Sequence, residues 1–178
     1  MKLHNYEVTI PEGNEAADGY VALAHNTQYT LRLSNHGPRL ADAEVFIDGQ
    51  RVGEWRVKFY SDAVIDRPVH DTGRFTFFRL GSEEASAAGL RSSNDLGLIK
   101  VVFKPQKEED MLLGTPPVLH EGGTGLSGRS QQKFTTVAAL TSDPSEHVTI
   151  HLRLGAKPID ARPLSPMSSP VPPPLRRS

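Results

Sequence analysis

Glu44-Val45-Phe46-Ile47-Asp48-Gly49-Gln50-Arg51-Val52-Gly53-Glu54-Trp55-Arg56-Val57 is the stretch on which the fold turns. Two runs rich in β-branched and aromatic residues flank Asp48-Gly49. Tight primed turns need positive φ at their centre, and Asp-Gly supplies it with a twist that matches the flanking strands. The segment therefore predicts an antiparallel hairpin. Alternation along its second strand puts Trp55 and Val57 on one face. Large aromatics usually anchor cores, so a core role is expected for Trp55. A carbohydrate-stacking platform is the competing reading, and Trp55 stands as a candidate contact on that account.

Outward from the hairpin the rhythm stays at period two. His147-Val148-Thr149-Ile150-His151-Leu152-Arg153-Leu154 alternates polar and apolar without a fault, as a half-buried strand requires. Tyr29 to Leu33, Ile99 to Phe103, Arg74 to Phe77, Tyr6 to Ile10, Tyr20 to Leu23 and Lys133 to Ala138 read as further strands. Ala63 to Arg67 is another, stopped by Pro68, which cannot donate to a ladder. Of Phe75, Phe77 and Phe78, two can be buried; the third must cap an edge or meet a partner, and Phe78 is the candidate. One segment departs from the pattern. Glu83 to Ala88 is rich in helix formers, with Ser82 as N-cap and Gly89 as stop. Many short strands and one small helix predict an all-β protein, an antiparallel β-sandwich with a jelly roll as one form of it.

The 178 residues suit one domain with an appendage. The body is expected over 1–155, interrupted by a long Gly/Pro-rich loop at 105–130. Residues 156–178 carry Pro158, Pro163, Pro166, Pro170, Pro172, Pro173 and Pro174, and form an extended, disordered tail with polyproline II character. A formal net charge of −1 argues against nucleic acid as a partner. The absence of cysteine excludes disulfides and thiolate chemistry. Met1 to Glu7 lacks the apolar run of a signal peptide, and no stretch is long and apolar enough to span a bilayer. These features predict a protein kept in the cytoplasm or built into a particle there.

The sharpest chemical motif is Gly123-Thr124-Gly125-Leu126-Ser127-Gly128-Arg129-Ser130, which has phosphate-loop spacing with Arg129 in place of lysine. Its context argues otherwise, because a strand and not a helix is expected after it, and arginine replaces the compact lysine charge poorly. A flexible Gly/Ser loop is expected, with Gly123, Gly125 and Arg129 as candidate contacts for another anionic ligand. His147 and His151 lie four apart on a predicted strand, about 13 Å at ~3.3 Å per residue, too far to share a metal. His70-Asp71 could orient a base but has no nucleophile beside it, so a polar turn is the better account. Glu83-Glu84 belongs to the helix start, and Glu108-Glu109-Asp110 is a solvated charged loop. No catalytic residue, metal or other cofactor is expected. In the tail, Arg162-Pro163-Leu164-Ser165-Pro166 approaches the pattern of ligands for aromatic grooves. Pro163, Pro166, Pro172, Pro173, Arg176 and Arg177 are its candidate contacts.

Asn26-Thr27-Gln28-Tyr29, Ile47-Asp48-Gly49-Gln50-Arg51-Val52-Gly53, Arg67-Pro68 and Phe75-Thr76-Phe77-Phe78 together resemble a family of β-sandwich proteins from large DNA viruses and some bacteria. The resemblance covers the body to about Leu154 and carries no catalytic residue. It implies a virion-associated or accessory structural protein. The expected function is therefore a non-catalytic structural or protein-interaction module, joined to itself or to other proteins in a capsid-like assembly with the tail as docking arm. The alternative is a lectin-like domain that meets glycan through Trp55 and the 105–130 loop; an enzyme ranks last.

Overall fold

The computed structural model describes residues 1–108, 133 and 135–157. The chain is an all-β sandwich. Its strands begin with β1 (Lys2–Leu3), β2 (Tyr6–Thr9), β3 (Asn14–Glu15), β4 (Tyr20–Leu23), β5 (Thr27–Gln28) and β6 (Leu31–Asn35). The hairpin follows as β7 (Ala41–Ile47) and β8 (Gln50–Val57), then β9 (Ser61–Ile65) and β10 (Thr76–Phe77). A short helix, α1 (Glu83–Ala87), precedes β11 (Leu98–Pro105), and a 3-10 turn at Pro144–Glu146 leads into β12 (Val148–Ala156). One sheet has the order β3-β4-β12-β11-β7-β8, the other β1-β2-β6-β9, and β5 pairs with β10.

Alternation builds the core. Ile99, Val101 and Phe103 of β11 are wholly buried, as are Val8, Leu31, Leu33 and Ile65 from the facing sheet, and all belong to one apolar cluster. The Tyr6 and Phe103 rings stack across the sandwich with centroids 4.5 Å apart. Trp55 is 7% exposed and lies in this cluster, so it is a core residue and not a surface platform. Phe75 is buried and Phe77 packs against the cluster, while Phe78 is half-buried beside the His25 ring.

The hairpin turn takes the conformation its residues dictate, with φ of 52° at Asp48 and 78° at Gly49. Asp48 Oδ1 accepts from the Gly97 N–H at 2.6 Å, tying the turn to the start of β11. Burial pushes the Asp48 carboxyl above its ordinary range, and the Gly97 N–H offsets part of that. The ladder slips between Val45 and Phe46, leaving Val52 as the extra residue of a bulge. The Val52 carbonyl turns outward and accepts from Val69 N–H at 2.8 Å. Ser82 caps α1 by accepting from Ala85 N–H, and Gly89 has a φ of 72° just past the helix end.

Three sequence expectations change. The sheet is not antiparallel throughout: β12 pairs with β4 in parallel, Arg153 opposite Tyr20. Residues 133 and 135–138 form no strand; the Ala138 carbonyl accepts from the Arg56 side chain, and Leu140 N–H just beyond donates to Asp42. His147 precedes β12 and follows the 3-10 turn, whose Asp143 cap draws the chain out of the ladder. Most of the 105–130 loop and the tail from Pro158 lie outside the described residues. Among the described residues, no helix is long and apolar enough to cross a membrane.

A Cβ at Gly53 would overlap Val69 Cγ2 and the Trp55 ring, whereas one at Gly155 meets nothing within 4 Å. Gly53→Ala should therefore cost about 1–3 kcal/mol by overpacking. Gly155→Ala should stay within about 0.5 kcal/mol. Urea unfolding of the two variants checks the contrast.

Candidate functional site

Register decides which loops meet. Ala41 lies opposite both Val57 and Pro105, and Phe103 opposite Val148. One end of the sandwich therefore gathers the β1–β2 turn, the β6–β7 connection, the β8–β9 turn and the 3-10 turn. Short hydrogen bonds lock these loops together. His36 N–H donates to the Asn5 carbonyl at 2.7 Å, and Tyr60 N–H donates to the Gly37 carbonyl at 3.2 Å. The buried Asn35 side chain donates to the Arg39 carbonyl at 2.7 Å and accepts from Gly37 N–H at 2.9 Å. Arg39 forms a two-pronged pair with Glu146 at 3.0 and 3.1 Å, and reaches the Gln106 carbonyl at 3.2 Å.

Two large aromatics stand out from this end. Phe59 is 55% exposed and Tyr60 71%, with their rings edge to face at 6.5 Å. They occupy the turn in which the chain leaves β8 for the opposite sheet, so neither has an inner face to fill. Tyr60 has a φ of 49°, a region that bulky residues rarely adopt. Strain held at an exposed aromatic points toward a functional position. Beside it lies an open hollow of about 630 Å³ lined by His36, Tyr60, Ser61 and Asp62. His36 Nε2 is 3.0 Å from Glu7 Oε2, which borders the same surface.

A second cleft, about 330 Å³, opens on the other side of Gly37, between Tyr6, Arg39, Glu146 and His147. Burial raises the Tyr6 phenol above its ordinary 10.0; Arg39 works against that and Glu146 adds to it. His147 Nε2 meets Ser142 Oγ at 2.9 Å. The Asp143 carboxylate is held low by the N–H and hydroxyl of Ser145. Arg39 with Glu146, His147 with Ser142 and Asp143 with Ser145 each spend their bonding capacity on one another.

A dense charge cluster lies on the outer face of the larger sheet. Glu44 and Glu54 sit directly opposite across β7 and β8, an arrangement that repels unless bridged. Arg51 bridges them at 2.5 and 2.9 Å, and Lys104 at 2.8 and 3.2 Å. Arg56 pairs with Asp42 at 2.9 and 3.1 Å, and the two then hold the returning segment through Ala138 O and Leu140 N–H. Burial alone would raise the Glu44 carboxyl, but the bonds from Arg51 and Lys104 outweigh it and hold it below 4.5. The cluster is a closed lattice whose job is structural.

Of the residues singled out in the sequence, Trp55 lies in the core and Phe78 flanks α1 near His25. Gly123, Gly125, Arg129, Pro163, Pro166, Pro172, Pro173, Arg176 and Arg177 lie outside the described residues. His70-Asp71 is a turn in which Asp71 Oδ1 accepts from Gly73 N–H at 3.0 Å. Among the described residues no three His, Asp or Glu side chains are grouped to hold a metal. The sequence reading missed Phe59, Tyr60, His36 and Asp62. The signal was there: Lys58-Phe59-Tyr60-Ser61 breaks the alternation directly after Val57, placing two aromatics where a turn must be. No family model, curated protein or solved structure matches the chain.

The Glu44 bridge has a pH signature. A carboxyl whose folded value is depressed stabilises fully above its ordinary 4.5, and that stabilisation is lost as pH falls through the lower folded value. Glu44→Gln should cost on the order of 1 kcal/mol at neutral pH. It should also show a shallower loss of stability below pH 4.5 than the parent. Urea midpoints measured across the acid range test both.

Proposed function

We propose that this chain is a non-catalytic interaction module, a component of a larger assembly, that docks a protein partner through its loop end. The observation that carries the proposal is the adjacent pair Phe59 and Tyr60, held out of the core at 55% and 71% exposure. Covering about 100 Å² of apolar surface on each ring stabilises a complex by about 2.5 kcal/mol per ring at ~25 cal/mol per Å². Tyrosine is among the residues that dominate interface energetics. The Tyr60 backbone is already tied to Gly37, so little freedom remains to be lost on binding. Asp62, His36 and Glu7 supply the polar rim that surrounds such anchors. The resemblance to β-sandwich proteins of large DNA viruses points toward the same class, a structural part of a particle. In that setting the proline-rich tail serves as a docking arm.

One observation favours a second reading, a lectin-like domain. The Tyr60 ring stands over a hollow with Asp62 and His36, an aromatic platform beside a hydroxyl acceptor. Trp55, the platform expected from the sequence, is buried, so this reading now rests on Tyr60.

A photo-cross-linking residue in place of Phe59 decides between them. In an extract of the native source it should form one discrete protein adduct, identified by mass spectrometry. The same group in place of Leu80, 47% exposed at another surface, should not. Equal labelling from both positions, or none at Phe59, overturns the docking face. Oligosaccharide-dependent shifts in the Tyr60 ring resonances without an adduct would establish the glycan reading instead.

A further inference from the structure

Taking the loop end as a docking face, we infer that its occupant is the proline-rich segment from Arg162 to Pro174 of a second copy of this chain. The contact is an aromatic shelf gripping a polyproline ribbon, and it joins copies head to tail.

Chemistry matches on the two sides. The receptor offers the edge-to-face rings of Phe59 and Tyr60, a shallow hollow and the Asp62 carboxylate. Residues 158–178 carry seven prolines, and Arg162, Arg176 and Arg177 outnumber the single acid, Asp160. Aromatic grooves take such segments because a polyproline II ribbon has little entropy left to lose, and a flanking basic residue pairs with a nearby carboxylate. At three residues per turn, Pro163 and Pro166 fall on one edge of a bound ribbon, with Arg162 on the next. That edge would lie on the Tyr60 ring, within reach of an Arg162–Asp62 pair.

Polarity selects a second copy. Phe59 and Tyr60 follow Val57, at the end of the sandwich where Ala41, Pro105 and Val148 lie. The chain leaves the body at the other end: β12 closes at Ala156 opposite Leu23, and Lys157 N–H donates to the Leu23 carbonyl at 2.8 Å. Nine residues of β12 separate the two ends by about 26 Å. Pro163 lies seven residues past Ala156, about 23 Å of extended chain at ~3.3 Å per residue, which falls short of the receptor on its own body, so a second copy supplies it and copies join head to tail.

Sedimentation velocity of the full chain over a wide concentration range tests this. The expected result is a mass that rises with concentration past the dimer. Tyr60→Asn removes the receptor ring while keeping a residue that tolerates the left-handed φ. Pro163→Ser with Pro166→Ser removes the ligand edge and leaves every described residue unchanged. Each variant alone should associate about tenfold or more weakly. An equimolar mixture should form a 1:1 heterodimer and stop, because one copy has only a tail and the other only a receptor. A parent chain that stays monomeric throughout, or association unaltered by Tyr60→Asn or by the proline pair, overturns the inference. If the parent is monomeric while Phe59 still cross-links a different protein, the docking face stands and only its occupant is wrong.

Discussion

The register of β11 is the constraint on which the rest depends. Ile99, Val101 and Phe103 are buried without remainder between β7 on one side and β12 on the other. A slip by one residue would bring Lys100, Val102 and Lys104 inward and expose the apolar set. Because side chains alternate strictly, fixing these three also fixes Lys104 on the outer face, where it bridges Glu44 and Glu54. It fixes Phe103 beneath the Tyr6 ring, and so holds the second sheet in place. The gathering of loops at the Pro105 end follows from the same pairing.

The polar groups divide by task. On the outer face of the larger sheet, facing carboxylates would push β7 and β8 apart, and the two bridging cations turn that repulsion into a cross-link. At the loop end, Asn35 and the Arg39–Glu146 pair spend their bonding capacity on neighbouring backbone and side chains. The result is a face whose shape is set before any partner arrives. Phe59 and Tyr60 stand exposed on it, with Leu3 at 43% exposure. Rigid backbone under exposed rings is the arrangement that favours tight, selective contact over loose adhesion.

Much of the fold could be read from local pattern. Asp48-Gly49 announces its own turn, and the alternation from Val148 to Leu154 announces a strand with one wet face. Ser82 and Gly89 bracket the helix by side-chain chemistry alone. What local pattern cannot carry is pairing between distant segments. The parallel match of β4 with β12 depends on the whole arrangement of the larger sheet, and β1, β3 and β5 have two residues each, too short to show a period. Lys133 to Ala138 has strand-like composition, but Ala138 offers its carbonyl to Arg56 and not to a neighbouring strand. The proposed docking face was harder still. Attention falls on the lone tryptophan, yet Trp55 sits at an inward position of β8, and the aromatics that reach solvent come just after that strand ends.

The parallel pair has a consequence for how the protein is made. Tyr20 emerges from the ribosome early, but the strand it pairs with follows roughly 130 residues later. Until β12 arrives, β4 has β3 along one edge and nothing along the other. The hairpin at β7–β8 and the four-stranded sheet can be completed from segments already made, so the sandwich closes from its middle outward. Long-range pairing of this kind slows folding and leaves strand edges open to stray contacts. Among the described strands the one made last is the one that pairs with β4, and that edge stays open to stray contacts until it arrives.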